Sequence, residues 1–234
     1  MKYMGSKRRL VKHLLPIMRK WGNQGYVEPF VGGGNMIEGV TGFNCRMGFD
    51  VNPLAISALK TIRDRLDILP KCNEDFSEDD YQEVRSDPEH PLHGYVAFAL
   101  SFGGKEWGGV RRDGKGKRDY IAEAYRNAVK QSERIQGVHL EVEDYRSLET
   151  LESDVVYCDI PYRGTTKYAD SFDHDVFWQW CRICPGRVFI SEYEAPDDFI
   201  SVFEKEQTSS LTQDTGSKRG VEKLFVHRDL GKLL

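Results

Sequence analysis

Residues 25–50 run Gly25-Tyr26-Val27-Glu28, then Pro29-Phe30-Val31-Gly32-Gly33-Gly34, then on to Cys45–Phe49 and Asp50. The first and last pieces have strand character, and the glycines lie where a strand must turn. A helix is expected from Asn35, and Asn52-Pro53 is expected to start another through about Leu66. Strand, glycine turn, helix, strand and acid in that order open a doubly wound α/β sheet. The fold class expected is therefore α/β, with a mostly parallel, doubly wound sheet.

The same unit forms a nucleoside-cofactor site in outline. Glycines let the backbone pass close beneath a bound group. Asp50, at the end of the second strand, is placed to accept hydrogen bonds from ribose hydroxyls. A dinucleotide fingerprint needs G-x-G-x-x-G. Gly32 and Gly34 fit it, but the last position is Ile37. This favours a cofactor without a pyrophosphate, while NAD, S-adenosylmethionine and an incidental glycine turn all stay open on these residues alone.

The pattern then breaks. Residues 66–90 carry nine acids against Lys71 and Arg85, whereas residues 105–118 carry six bases against Glu106 and Asp113. Helices are expected near Tyr81–Arg85, His93–Ser101 and Tyr120–Ile135, with a glycine-rich basic loop over Gly103–Lys117. We read 67–136 as a largely helical insertion between two parts of the sheet domain, 1–66 and 137–234. Strands resume at Gly137–Val142, Asp154–Cys158 and Arg187–Ser191. Thr208–Leu211 and Lys223–His227 are expected to close the fold as an antiparallel hairpin. At the other end, Ser6 is expected to cap a helix over Lys7–Leu15, which Pro16 ends or kinks.

A second motif follows the apolar run Val155-Val156-Tyr157-Cys158. Asp159-Ile160-Pro161-Tyr162 places a carboxylate, a fixed turn and an aromatic ring at a strand end. Such a group suits an exocyclic amino nitrogen on a nucleobase, whose lone pair is delocalised into the ring. Asp159 and the carbonyl of the Ile160-Pro161 turn accept its two hydrogens, Pro161 fixes the turn, and Tyr162 stacks on an extruded base. A plain strand-ending turn also uses Asp and Pro.

Composition narrows the classes. No apolar run reaches the roughly 20 residues that a membrane helix needs, and the basic N-terminal segment lacks the apolar stretch of a secretory signal. Five cysteines without a framework spacing suggest reduced thiols and a cytoplasmic location. Cys181-x-x-Cys184 has no second ligand pair, so no metal is expected, and the two cysteines are expected to pack beside Trp178 and Trp180. His174 is read as structural. Cys184-Pro185 reverses the Pro-Cys order of a covalent cytosine route. Net charge is −4, so local basic patches point to transient phosphate contact rather than permanent coating; each patch alone also reads as a solvated face.

Taken in order, these motifs resemble the Dam-type family of DNA adenine (N6) methyltransferases over nearly the whole chain. Tyr3-Met4-Gly5-Ser6-Lys7 resembles its opening motif, Val27–Gly34 its glycine loop and Gly48-Phe49-Asp50-Val51-Asn52 its ribose-binding acid. Asp144-Tyr145, Asp159–Tyr162 and Phe172-Asp173-His174 follow in family order. Ile160 replaces the usual first proline of the tetrapeptide, and Tyr3 stands where many members have Trp.

The resemblance implies S-adenosylmethionine held by Tyr3, Lys7, Glu28, Phe30, Gly32, Gly34, Asp50, Asp144 and Asp159. It also implies catalysis by Asp159, Pro161 and Tyr162. Double-stranded DNA is the implied partner, met by Arg111, Arg112, Lys115 and Lys117 of the insertion. No membrane or obligate protein partner is expected. Cytosine or RNA as substrate, or an inactive DNA-binding relative, are the alternatives.

Overall fold

A computed structural model describes residues 1–114, 116–162, 172–208 and 219–231. Within them seven strands form one sheet: β1 (Gly25–Glu28), β2 (Cys45–Asp50), β3 (His139–Val142), β4 (Asp154–Asp159), β5 (Arg187–Glu192), β6 (Phe199–Thr208) and β7 (Arg219–His227). The order is β3-β2-β1-β4-β5-β7-β6. Strands β1 to β5 pair in parallel, while β7 pairs antiparallel with both β5 and β6. The expected α/β sheet and its C-terminal hairpin are both present. The first hairpin strand starts at Phe199, well before the expected Thr208, and residues 209–211 lie outside the described residues.

Alternating residues of the inner strands enter two cores, as strand geometry requires. Tyr26, Val155, Tyr157, Phe189, Leu224 and Val226 face one core, and Val27, Val156, Cys158, Val188, Ile190 and Phe225 face the other. The first face is covered by α1 (Val11–Arg19), α2 (Pro53–Asp64), α3 (Glu78–Ser86), α4 (His93–Ala99) and α5 (Tyr120–Ile135). The second is covered by α6 (His174–Ile183), through Phe177, Trp178 and Cys181. A four-residue α7 (Arg228–Gly231) follows β7.

Helices α3 to α5, inside the stretch read as an insertion, bury Tyr81, Tyr95, Phe98, Ile121 and Ala128 in the same core as Ile56 and Leu59 of α2. Three of the expected local structures differ. Helix α1 starts at Val11, with no side-chain cap from Ser6, and it runs through Pro16. Pro16 and Lys12 are both exposed, so water can satisfy the Lys12 carbonyl that the proline leaves without a partner.

The helix expected from Asn35 is only a short 3₁₀ turn over Ile37–Gly39. Gly39 abuts Val11, where an added Cβ would come within 2.9 Å of its side chain, and Gly42 has φ +80°. The tight packing of α1 here leaves room for no more than a turn. Finally, the first half of the basic loop is not slack. Ser101 and Val110 form a bridge, Phe102 N donates to Gly109 O at 2.8 Å, and Arg111 N to Leu100 O at 3.0 Å.

Candidate active site

The sheet order reverses between β1 and β4, so the turns after these strands open onto one crevice at their C-terminal ends. On the β1 side the backbone turns through Gly32 (φ +46°) and Gly34 (φ +67°). A side chain at Gly32 would come within 2.8 Å of the Tyr3 ring, and one at Gly34 within 2.8 Å of Leu59. Tyr3 thus lies against the glycine turn, its ring 5.1 Å from that of Phe98. Asp50 binds the turn from β2. One carboxylate oxygen accepts from Gly32 N at 2.8 Å, the other from Asn52 N at 2.9 Å. Burial pushes its carboxyl above the usual range, against the pull of those two amides.

Gln131 of α5 reaches the same turn, donating to Gly33 O at 2.9 Å from a buried position. Asp144 follows β3 on the same edge, where Glu143 N donates to Asp50 O at 3.2 Å. Its carboxylate is held by Arg146 at 2.9 and 2.7 Å, which keeps it below the ordinary range. Phe30 lies in an aromatic group with Tyr145, Phe172 and Phe177, ring centres 5.3–5.9 Å away.

On the β4 side, Asp159 ends the strand and Tyr162 follows the turn. Lys7 connects them: its Nζ lies 3.3 Å from Asp159 Oδ1, 3.7 Å from Glu222 Oε2 and 4.4 Å from the centre of the Tyr162 ring. Burial pulls the ammonium pKa down, but Asp159 and Glu222 outweigh it and hold it above the usual value. Burial raises the Asp159 carboxyl, with Lys7 opposing and Glu222 adding to the rise.

Tyr162 is buried, at 8% exposure. It donates to Glu222 at 2.9 Å and meets the Tyr193 ring edge-on at 4.6 Å. One face of the ring expected to stack on a base is therefore covered by the Lys7 ammonium. Glu28, at the end of β1, is buried and accepts from Tyr26 at 3.3 Å. Burial first, and then the nearby Asp159, push its carboxyl well above the usual range.

Lys7, Glu28, Gly32, Asp50, Asp159 and Tyr162, read from the sequence as site residues, thus meet at one end of the sheet. Sequence reasoning missed Glu222, Tyr193 and Gln131. Glu222 had a signal: it shares a strand face with Leu224 and Val226, which are fully buried, so an acid there breaks a core-facing alternation.

The basic loop is arranged differently from expectation. The Arg111 guanidinium stacks 3.8 Å over Tyr120 and lies 3.4 Å from Glu123, with its side chain 14% exposed. Arg112 donates to the Phe76 carbonyl. Both arginines brace the loop in this structure. Lys105 and Lys117 are exposed, and Lys115 lies outside the described residues. Phe102, at 67% exposure, stands out at the loop beside Gly103.

Cys181 packs in the second core with Trp178, as expected, and Trp180 lies against that core. The Cys184 thiol lies 3.3 Å from the Thr150 hydroxyl. His174 is buried at the start of α6, its ring 5.0 Å from that of Phe172. No helix among the described residues is long and apolar enough to cross a membrane.

Several solved structures align with this chain. A Pyrococcus horikoshii protein described as an RNA methyltransferase aligns at TM-score 0.45 and 9% identity, over 94% of this chain and 84% of its own. TrmN from Thermus thermophilus aligns at 0.44 and 12%, over 94% and 48%. A methyltransferase from Geobacter sulfurreducens aligns at 0.41 and 12%, over 95% and 79%. At these values the likeness says nothing of substrate.

No curated protein sequence matches significantly. A methyltransferase takes S-adenosylmethionine as cofactor, and the residues present fit it. The half-buried Asp50 carboxylate keeps a lone pair on each oxygen beyond the two amides, and the Tyr3 ring lies beside it on the glycine turn. Residues 3–97 match the family model of the D12 class N6 adenine-specific DNA methyltransferases.

Proposed function

We propose that this protein transfers a methyl group from S-adenosylmethionine to the exocyclic amino nitrogen of adenine in double-stranded DNA. The observation that carries the reading is the meeting of two half-sites at the reversal in strand order. The glycine turn and Asp50 lie on one side, and Asp159 to Tyr162 on the other. When bound, S-adenosylmethionine supplies a sulfonium methyl that accepts a nitrogen lone pair while the carbon–sulfur pair stays on sulfur.

The donor is held by the Gly32–Gly34 turn, Asp50, Tyr3 and Phe30, with Asp144 at the crevice edge and the buried Glu28 beneath. Asp159, beside the incoming base, accepts from its amino group and so keeps the nitrogen lone pair free of the ring. The carbonyl of the Ile160-Pro161 turn takes the second hydrogen. Ile160 is buried in the second core, so a side chain other than proline is accommodated there by packing. Tyr162 offers its ring to the extruded base, and the Lys7 ammonium yields the face that it covers here. Leaving the duplex stack costs a few kcal/mol, which contacts in this pocket offset.

The insertion, 67–136, meets the duplex. The exposed Lys105 and Lys117, with Lys115, contact phosphates, while Arg111 and Arg112 hold the loop in shape and present its edge to the groove. Methyl transfer from labelled donor to duplex DNA, RNA and protein, followed by nucleoside analysis, tests the reading. It predicts label in N6-methyladenine from duplex DNA. Label in cytosine, in RNA alone or in none of them would contradict it.

A further inference from the structure

Glu222 belongs to none of the motifs legible in the chain, and it lies on the antiparallel strand β7. Its Oε2 nonetheless accepts the Tyr162 hydroxyl at 2.9 Å and stands 3.7 Å from Lys7 Nζ, with its side chain only 12% exposed. The same ammonium lies 3.3 Å from Asp159 Oδ1. One positive charge is therefore shared by two carboxylates, and neither is fully neutralised. A carboxylate at this burial is costly unless paired, so Glu222 in turn fixes where Lys7 and the Tyr162 hydroxyl lie.

We propose that Glu222 is a positioning residue for methyl transfer, setting the Tyr162 ring through its hydroxyl and drawing the Lys7 charge away from Asp159. This rests on the reading of Asp159 to Tyr162 as the adenine site. As the amino nitrogen bonds to the methyl carbon, the carbon–sulfur bond breaks with its pair staying on sulfur, the nitrogen gains positive charge, and one of its protons passes to the Asp159 carboxylate. A carboxylate left negative beside it favours both changes. Without Glu222, Lys7 pairs with Asp159 alone and competes with the amino group for its oxygens. The Tyr162 hydroxyl, left with Asp159 as its acceptor, turns toward that carboxylate.

The acid limb of the rate profile reports the charge part of this role. The groups electrostatically coupled to Asp159 are Lys7 from the N-terminal segment, Glu28 of β1, Tyr157 and, from the opposite sheet face, Cys158 of β4, Tyr162, Tyr193 beyond β5, and Glu222 of β7. Burial raises the Asp159 carboxyl most, and Glu222 adds to the rise. Removing the Glu222 charge therefore moves the acid limb to lower pH.

The test compares wild type with Glu222→Gln, which keeps an acceptor for Tyr162 but loses the charge, and with Glu222→Asp and Glu222→Ala. Single-turnover rates on duplex DNA are measured against pH, beside donor affinity by calorimetry and thermal midpoints. Glu222→Gln should lose rate, up to about 100-fold as a misplaced group does. Its acid limb should move to lower pH, its donor affinity should stay within about twofold, and Glu222→Asp should recover part of the rate.

Should Glu222→Ala fail to fold, the near-isosteric Glu222→Gln still decides. A Glu222→Gln rate and acid limb equal to wild type, or a change in KM alone, would overturn the role. A wild type that methylates no adenine would overturn the site reading and this role together. An active wild type with an indifferent Glu222→Gln overturns this role alone.

Discussion

Lys7 shows how much one side chain decides at this site. The family resemblance places it among the residues that hold the donor; in the fold its ammonium lies between Asp159 and Glu222 and over Tyr162. The difference is one of partners that sequence spacing cannot show, because Glu222 is 215 residues away along the chain. Asp50 is the opposite case. Its place at the end of an apolar strand was legible, and the structure adds that it also holds the glycine turn. Asp50→Ala should therefore weaken donor binding by about 1.5–3 kcal/mol for each charged hydrogen bond lost. Duplex affinity should change little. Calorimetry with S-adenosylmethionine checks this, and unaltered donor affinity would detach β2 from the cofactor.

Within the strands, polarity marks the site. On the face covered by five helices, β1 runs from Tyr26 to Glu28, β4 from Tyr157 to Asp159 and β5 from Phe189 to Ser191. Each turns polar at its C-terminal end, and Ser191 meets the Tyr157 hydroxyl at 2.8 Å. That alternation is visible in the sequence, which is why the parallel strands and both half-sites could be read from it. Where packing against a distant element decided, it could not. The turn at Ile37–Gly39 is short because α1 lies against Gly39, and α1 itself runs through Pro16 because the freed carbonyl faces water. Helix α2 starts as its sequence implies: Asn52 accepts from Leu54 N at 2.9 Å, and its amide also donates to Glu106 at 2.9 Å. Asn52→Ala should cost about 1 kcal/mol of stability by loss of the cap. Urea unfolding measures it, and an unchanged midpoint would remove the cap from the account.

Over the whole molecule, charge is divided rather than balanced. The basic loop follows α4 and is tied to it by Trp107 N, which donates to Ala97 O at 2.9 Å. Its arginines are engaged by the protein and its exposed lysines face solvent, a division that composition alone did not reveal. Lys105→Ala with Lys117→Ala should flatten the salt dependence of DNA binding by roughly one unit of slope per lysine, leaving the thermal midpoint unchanged. Arg111→Ala should lower the midpoint as well, since its guanidinium covers Tyr120 and pairs with Glu123. Binding with an unchanged slope in the lysine pair would place the phosphate contacts elsewhere. The central claim, that the β4 end acts on adenine while the β1 and β2 ends hold the donor, is tested most directly by Asp159→Ala in a single turnover. Labelled donor and duplex DNA are mixed with wild type and variant, nucleosides are analysed, and donor binding is followed by calorimetry. N6-methyladenine is expected with wild type and none with the variant, which still binds S-adenosylmethionine; near-normal methylation by Asp159→Ala would contradict this assignment.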